Sequence, residues 1–233
     1  MTDPEAPAHD AAPADTAEAK ARLRRRLRAA RARRSRAARE HAARGFDRHV
    51  AELLADRSHL DLAAFLPMPT EPPLEPALTT AHRRGHRVWV PVCEPGRRLA
   101  WARWTPGTAV HEGGLAALRE PAGTRHGAEV MRSVGLLLVP ALAVSRDGGR
   151  LGFGGGYYDR FLADLPRTAH PELRTAVCVF ADEVLPAGGL PLEPLDAPVG
   201  LALTEGGTEI LRDGADGAPG GEGPAAWTGA PAR

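Results

Sequence analysis

Residues 150–160 read Arg-Leu-Gly-Phe-Gly-Gly-Gly-Tyr-Tyr-Asp-Arg, and shortly upstream runs the apolar segment Leu136-Leu137-Leu138-Val139-Pro140. Four glycines (Gly152, Gly154, Gly155 and Gly156) free the backbone to take positive φ and to approach a ligand closely. Tyr157 to Leu165 can be helical, with Tyr158, Phe161, Leu162 and Leu165 on one face. Strand, glycine-rich loop and helix start, in that order, present unpaired N–H groups and a positive dipole end to an anion. Asp159 adds a carboxylate that could hold Mg²⁺ beside phosphates. The pattern points to a nucleotide site. It is neither a Walker A loop, since no Gly-Lys-Ser/Thr follows, nor the dinucleotide fingerprint, since Tyr157 stands where the third glycine would be.

Working outward, short apolar runs alternate with helix-like segments. The runs are Leu62–Leu66, Val88–Val92, Gly135–Val139, Thr175–Phe180 and Val199–Leu203, with a helix near Glu75–Arg84. Leu-Leu-Leu-Val and Ala-Val-Cys-Val-Phe are continuous, as in strands covered on both faces. The alternation predicts an open, mostly parallel α/β sheet with helices on both sides and a ligand crevice at the carboxyl ends of the strands. A chain of 233 residues fits one such domain, 17–212, between Ala/Pro-rich and Gly/Pro-rich tails (1–16 and 213–233) that read as disordered. No apolar stretch approaches the ~20 residues that span a bilayer, and no signal peptide is visible. Cys93 and Cys178 sit in apolar runs, as buried thiols of a reducing compartment do. A cytoplasmic, monomeric protein without membrane or nucleic-acid partners is expected.

Two helices, about Glu18–Arg36 and Arg39–Asp56, precede the first strand. Leu23, Leu27, Ala30 and Arg34 form one stripe of the first, and Phe46, Val50, Leu53 and Leu54 mark the second. Twelve basic residues between Lys20 and Arg44 face one acid, Glu40, yet the net charge of the whole chain is only +1. Such a run is ordinarily a solvated helix face, and nucleic-acid binding is the weaker reading. Of 30 basic residues Lys20 alone is lysine, which suits a phosphate contact needing a compact ammonium. The nine histidines show no zinc spacing, and His41, His49, His59, His82 and His86 read as surface. Trp101 and Trp104 read as packing residues on a strand.

Taken together, these segments resemble the 5-formyltetrahydrofolate cyclo-ligase family. The glycine loop after a strand ending in Val139-Pro140 carries most of the likeness. Lys20 and Arg24 on the basic helix, Leu66 to Glu71, Glu120-Pro121 after a mid-chain helix, and Pro191 to Asp196 follow in the family's order. The resemblance implies a three-layer α/β/α fold of the NagB/RpiA/CoA-transferase-like kind. It also implies ATP-dependent, Mg²⁺-assisted closure of 5-formyltetrahydrofolate to 5,10-methenyltetrahydrofolate, with release of ADP and phosphate. Lys20, Arg150 and Tyr157 would then be catalytic. ATP would be bound by Lys20, Arg24, Arg150, Leu151, Gly152, Phe153, Gly154, Gly155, Gly156, Tyr157 and Tyr158. Folate would meet Leu66, Glu71 and the stretch Phe153 to Tyr157, and Mg²⁺ would meet Asp159 and Asp196. The chain departs from the family pattern at Leu74, Leu195 and Gly200. A divergent nucleotide-binding paralogue with another substrate is the competing reading.

Overall fold

The computed structural model describes residues 13–113, 118–165, 169–191 and 198–211. Two helices open the chain, α1 (Pro13–Ala32) and α2 (Arg36–Leu53), followed by β1 (Asp61–Ala63), α3 (Glu75–Arg83), β2 (Val88–Glu94) and β3 (Arg98–Trp104). Short strands β4 (Val110–Gly113), β5 (Leu118–Pro121) and β6 (Arg125–His126) lead to β7 (Val134–Pro140). Then come β8 (Ala143–Ser145), β9 (Arg150–Leu151), α4 (Tyr157–Ala163), β10 (Arg174–Cys178), β11 (Val184–Leu185), β12 (Leu201–Thr204) and β13 (Gly207–Ile210).

The main sheet has the order β13-β12-β10-β7-β1-β2-β3-β6. Its five central strands, β12 to β2 in that order, are parallel, and β13, β3 and β6 are antiparallel at the edges. Alternation along each strand builds two cores. Leu136 and Leu138 of β7 join Leu62, Val88 and Val90 against Phe46 of α2 and Leu78 of α3. Leu137 and Val139 face the other way, with Ala63, Trp89, Trp101 and Met131 against Phe161 of α4. This is why the Leu-Leu-Leu-Val run is continuous: both faces are covered. The α4 face expected from spacing is the observed one, since Tyr158, Phe161, Leu162 and Leu165 all pack into that second core. Trp101 is fully buried and Trp104 nearly so, as packing residues should be.

Several expectations change. α1 starts at Pro13, so residues 13–16 are its first turn, and it stops at Ala32 because Ser35 caps α2, its Oγ accepting from Ala38 N–H at 3.2 Å. The apolar stripe of α1 runs through Leu27 to Arg31, which is 1% exposed. His86 is buried, its Nδ1 2.7 Å from the Leu60 carbonyl oxygen. Glu120-Pro121 lies in β5, a strand and not the sequel to a helix. The glycine loop does not follow β7 directly. β8 and β9 pair as an antiparallel hairpin in a separate three-stranded sheet, β11-β8-β9, and β9 delivers the loop. The bulk of both tail segments lies outside the described residues. Among the described residues no helix is long and apolar enough to cross a membrane.

α1 lies over the β8–β9 hairpin, with Leu27 packed against Leu142, Ala143, Leu151 and Leu190. Its anchor is a buried ion pair. Arg31 Nε donates to Glu183 Oε1 at 2.8 Å, and Nη2 donates to Glu183 Oε2 at 2.7 Å and to the Ala141 carbonyl at 2.6 Å.

Candidate active site

A cleft of about 400 Å³ opens at the carboxyl ends of the parallel strands, within the range of small-molecule sites. Phe65, Leu66, Met68 and Glu71 enter it from the segment after β1, Pro91 and Cys93 from β2, and Pro140 from the end of β7. Opposite them stand Arg150, Gly152 to Gly156, Tyr157, Tyr158 and Asp159. The loop's shape requires glycine at two points, Gly154 with φ +102° and Gly156 with φ +70°, the latter beginning α4 in a left-handed conformation.

Cations of α1 tether the loop from behind. Arg24 Nε donates to the Gly152 carbonyl and Arg28 Nη2 to the Phe153 carbonyl, each at 3.0 Å. The Arg28 and Arg31 guanidinium groups also lie over the Phe153 ring, 5.9 and 5.8 Å from its centroid. Beneath the loop, the buried Arg150 guanidinium pairs with Asp159 through Nη2 and Oδ1, while its Nε is buried with no partner among the described residues. The result is a fixed, positively charged lip, suited to an anion with several oxygens.

On the other wall the character changes. Glu71 is 4% exposed, and its Oε2 accepts the Met68 N–H at 2.8 Å. Burial pushes its carboxyl above the ordinary value, against the pull of the Met68 N–H and the more distant Arg31. Its setting is that of a buried acid awaiting N–H donors. The Tyr158 hydroxyl is buried with no partner among the described residues, and burial, with Glu71, Cys93 and Cys178 acting in the same sense, keeps it protonated. Cys93 N–H donates to Glu120 Oε1 at 2.8 Å, and the Cys93 thiol lies within hydrogen-bonding reach of the Tyr157 hydroxyl.

This geometry can be set beside known proteins. Residues 16–205 match the model of the 5-formyltetrahydrofolate cyclo-ligase family. The chain belongs to that family. It is 36% identical over 148 residues to the 5-formyltetrahydrofolate cyclo-ligase of Mycolicibacterium smegmatis, covering 61% of this chain and 72% of the relative. The Escherichia coli K12 cyclo-ligase is 27% identical over 145 residues, 61% of this chain and 76% of that protein. Among solved structures, the NMR structure of Aquifex aeolicus 5,10-methenyltetrahydrofolate synthetase superposes with a TM-score of 0.63 at 25% identity, covering 86% of this chain and 96% of that one. The Mycoplasma pneumoniae synthetase shares the fold, with a TM-score of 0.60 at 18% identity over 80% of this chain and 98% of its own.

Within this cyclo-ligase fold, the cleft gathers Leu66, Glu71, Arg150, Gly152, Phe153, Gly154, Gly155, Gly156, Tyr157, Tyr158 and Asp159 from the residues singled out by sequence. Arg24 touches the loop's outer side. Leu151 turns its side chain into the Leu27 cluster and does not line the cleft. Lys20, one turn before Arg24, is 4% exposed and does not line the cleft. Asp196 and Leu195 lie outside the described residues. Leu74, a departure from the family pattern, is fully buried at the start of α3 as a core residue, and Gly200 faces open space. Sequence reasoning missed Arg28, Phe65, Met68, Cys93 and Arg119 as cleft residues. For Arg28 a signal existed: Lys20, Arg24 and Arg28 repeat at four-residue spacing along one face of α1.

Among the described residues no three His, Cys, Asp or Glu side chains form a metal-binding group. Asp159 is the acid facing the loop, a third exposed, with one oxygen committed to Arg150. A single half-free carboxylate is a poor site alone, but it fits Mg²⁺ that arrives already held by phosphates.

Proposed function

We propose that this protein closes 5-formyltetrahydrofolate to 5,10-methenyltetrahydrofolate at the expense of ATP, releasing ADP and phosphate. The observation that carries the reading is the pairing of two unlike walls in one cleft: a cationic glycine lip, and a buried carboxylate beside an apolar slot. A triphosphate suits the first and a pterin the second.

The formyl oxygen is a poor leaving group. In the proposed reaction it attacks the γ-phosphorus of ATP, ADP departs, and the formyl oxygen then carries the phosphoryl group. Folate N10 attacks the activated carbon, its proton is lost to solvent, and the C–O bond breaks to release phosphate. Alignment and charge neutralisation do the work of the first step, and no protein nucleophile is required. Arg150 and the amides from Gly152 to Gly156 hold the phosphates, with Arg24 setting the loop and Lys20 adding charge from the turn before it. Mg²⁺ bound with the nucleotide, beside Asp159 and the proposed Asp196, would neutralise phosphate charge. Glu71 accepts N–H groups of the pterin, Leu66 and Phe153 pack on its ring, and Tyr157 closes the junction between the two ligands. Both cysteines are free and buried, in keeping with a cytoplasmic enzyme.

The test is the ATP- and Mg²⁺-dependent rise in near-ultraviolet absorbance as methenyltetrahydrofolate forms from 5-formyltetrahydrofolate. A folded protein that binds both ligands and gives no such rise would exclude the reading.

A further inference from the structure

One polar group on the cleft wall has no work in the ligand-free chain. The Tyr158 hydroxyl oxygen is shielded from solvent, makes no hydrogen bond among the described residues, and belongs to a residue that lines the cleft. Its ring packs against the second core, the cluster that contains Phe161, and this holds the hydroxyl away from water. A buried hydroxyl without a partner costs about 1–3 kcal/mol, and one kept in a folded chain calls for a role, such as meeting a group that arrives in the cleft. Glu71 is the charged group that acts on it most strongly, Arg150 acts on it too, and all three residues line the same cleft. The hydroxyl thus belongs to the same cleft as the carboxylate proposed to take the pterin.

The chemistry of that ring says what a neighbouring donor would meet. A 2-amino-4-oxopteridine presents, along one edge, the amino N–H, the ring N3–H and then the 4-oxo oxygen. A carboxylate accepts the first two. The third is an acceptor and needs a donor beside the carboxylate. We infer that the Tyr158 hydroxyl donates to the 4-oxo oxygen of the pterin while Glu71 accepts from the adjoining N–H groups, making Tyr158 a folate-specificity residue and not a nucleotide contact. This inference rests on the proposed folate site. A tyrosine can donate here because burial holds its proton far above neutral pH.

Tyr158→Phe tests it, since only the oxygen is removed. Loss of one neutral hydrogen bond should raise the KM for 5-formyltetrahydrofolate about ten-fold, with the KM for ATP unchanged. Folic acid, which lacks the formyl group, should lose binding affinity by the same factor. In the ligand-free state the variant should unfold at the same temperature as the parent or higher, because an unsatisfied group has gone. A purely structural tyrosine would show the reverse, with lower stability and both substrates affected. Unchanged folate KM, a rise confined to ATP, or lost affinity for the formylated ligand alone would overturn the assignment. If the parent protein itself bound no folate, the proposed function would fall with it; normal turnover by the parent with unaltered Tyr158→Phe kinetics would remove this inference only.

Discussion

Replacing Arg31 by methionine should be among the most damaging single changes outside the cleft. Arg31 is 1% exposed and engages both oxygens of Glu183, itself 2% exposed, and the Ala141 carbonyl. Arg31→Met keeps most of the side-chain volume but leaves the Glu183 carboxylate, among the described residues, with only the Phe180 N–H as hydrogen-bond donor, at 2.9 Å. Stranding a buried charge in this way costs about 3–5 kcal/mol. For a chain of this size each kcal/mol moves the melting temperature by roughly 2–4 °C, so the midpoint should fall by roughly 6–20 °C. Urea unfolding, followed through the buried Trp89, Trp101 and Trp104, measures the change directly. Removing both charges, in Arg31→Met with Glu183→Leu, should recover most of the loss, because apolar replacement of a buried pair is often neutral. Since Arg24 and Arg28 hold the glycine loop from the same helix, the single variant should also raise the KM for ATP while still folded. A single variant within about 1 kcal/mol of the parent, or a double variant no better than the single, would refute the reasoning.

Other substitutions and conditions probe separate parts of the structure. A Cβ on Gly45 of α2 would stand 2.8 Å from the Glu205 carbonyl carbon and closer still to its oxygen, so Gly45→Ala should cost about 1–3 kcal/mol in calorimetry, whereas Gly200→Ala, facing open space, should not. Burial lifts the Glu71 carboxyl above its unfolded value, so the folded state binds that proton more tightly and ligand-free stability should fall as pH rises through the raised value. Glu71→Gln should flatten that slope in pH-dependent unfolding, leaving the part due to Glu183, whose carboxyl burial also raises, and should weaken folate binding; a slope unchanged in the variant would assign it elsewhere. Burial and the neighbouring Glu120 push the Cys93 thiol up to about 11. At pH 8 iodoacetamide should therefore label native Cys93 roughly two hundred times more slowly than the unfolded chain, and rapid native labelling seen by mass spectrometry would contradict this.

What the sequence shows and what it hides follow from the range of the forces involved. The continuous run at Leu136–Val139 declared a strand buried on both faces, and its partners Phe46 and Phe161 lie where that reading requires. The spacing of Tyr158, Phe161, Leu162 and Leu165 gave the inner face of α4 because helical periodicity is local. The β8–β9 hairpin escaped notice because its strands are two and three residues long, too short to carry a period. Arg31 looked like one more solvated arginine. Its burial depends on Glu183, 152 positions away, and no local pattern reports that pairing. Glu71 was legible only through resemblance, since its Pro-rich surroundings suggest an exposed loop while the segment after β1 folds it inward. Cys93 and Arg119 reach the cleft through sheet pairing and a turn, which sequence spacing does not encode.

The central claim is that one cleft brings the terminal phosphate of ATP to the formyl oxygen of the folate. The most direct measurement follows that oxygen: 5-formyltetrahydrofolate labelled with ¹⁸O in the formyl group, turned over with ATP and Mg²⁺, and the released phosphate analysed by mass spectrometry. One ¹⁸O atom per phosphate is expected. Unlabelled phosphate accompanying methenyltetrahydrofolate formation would contradict direct transfer to the formyl oxygen and the arrangement of the cleft proposed to achieve it.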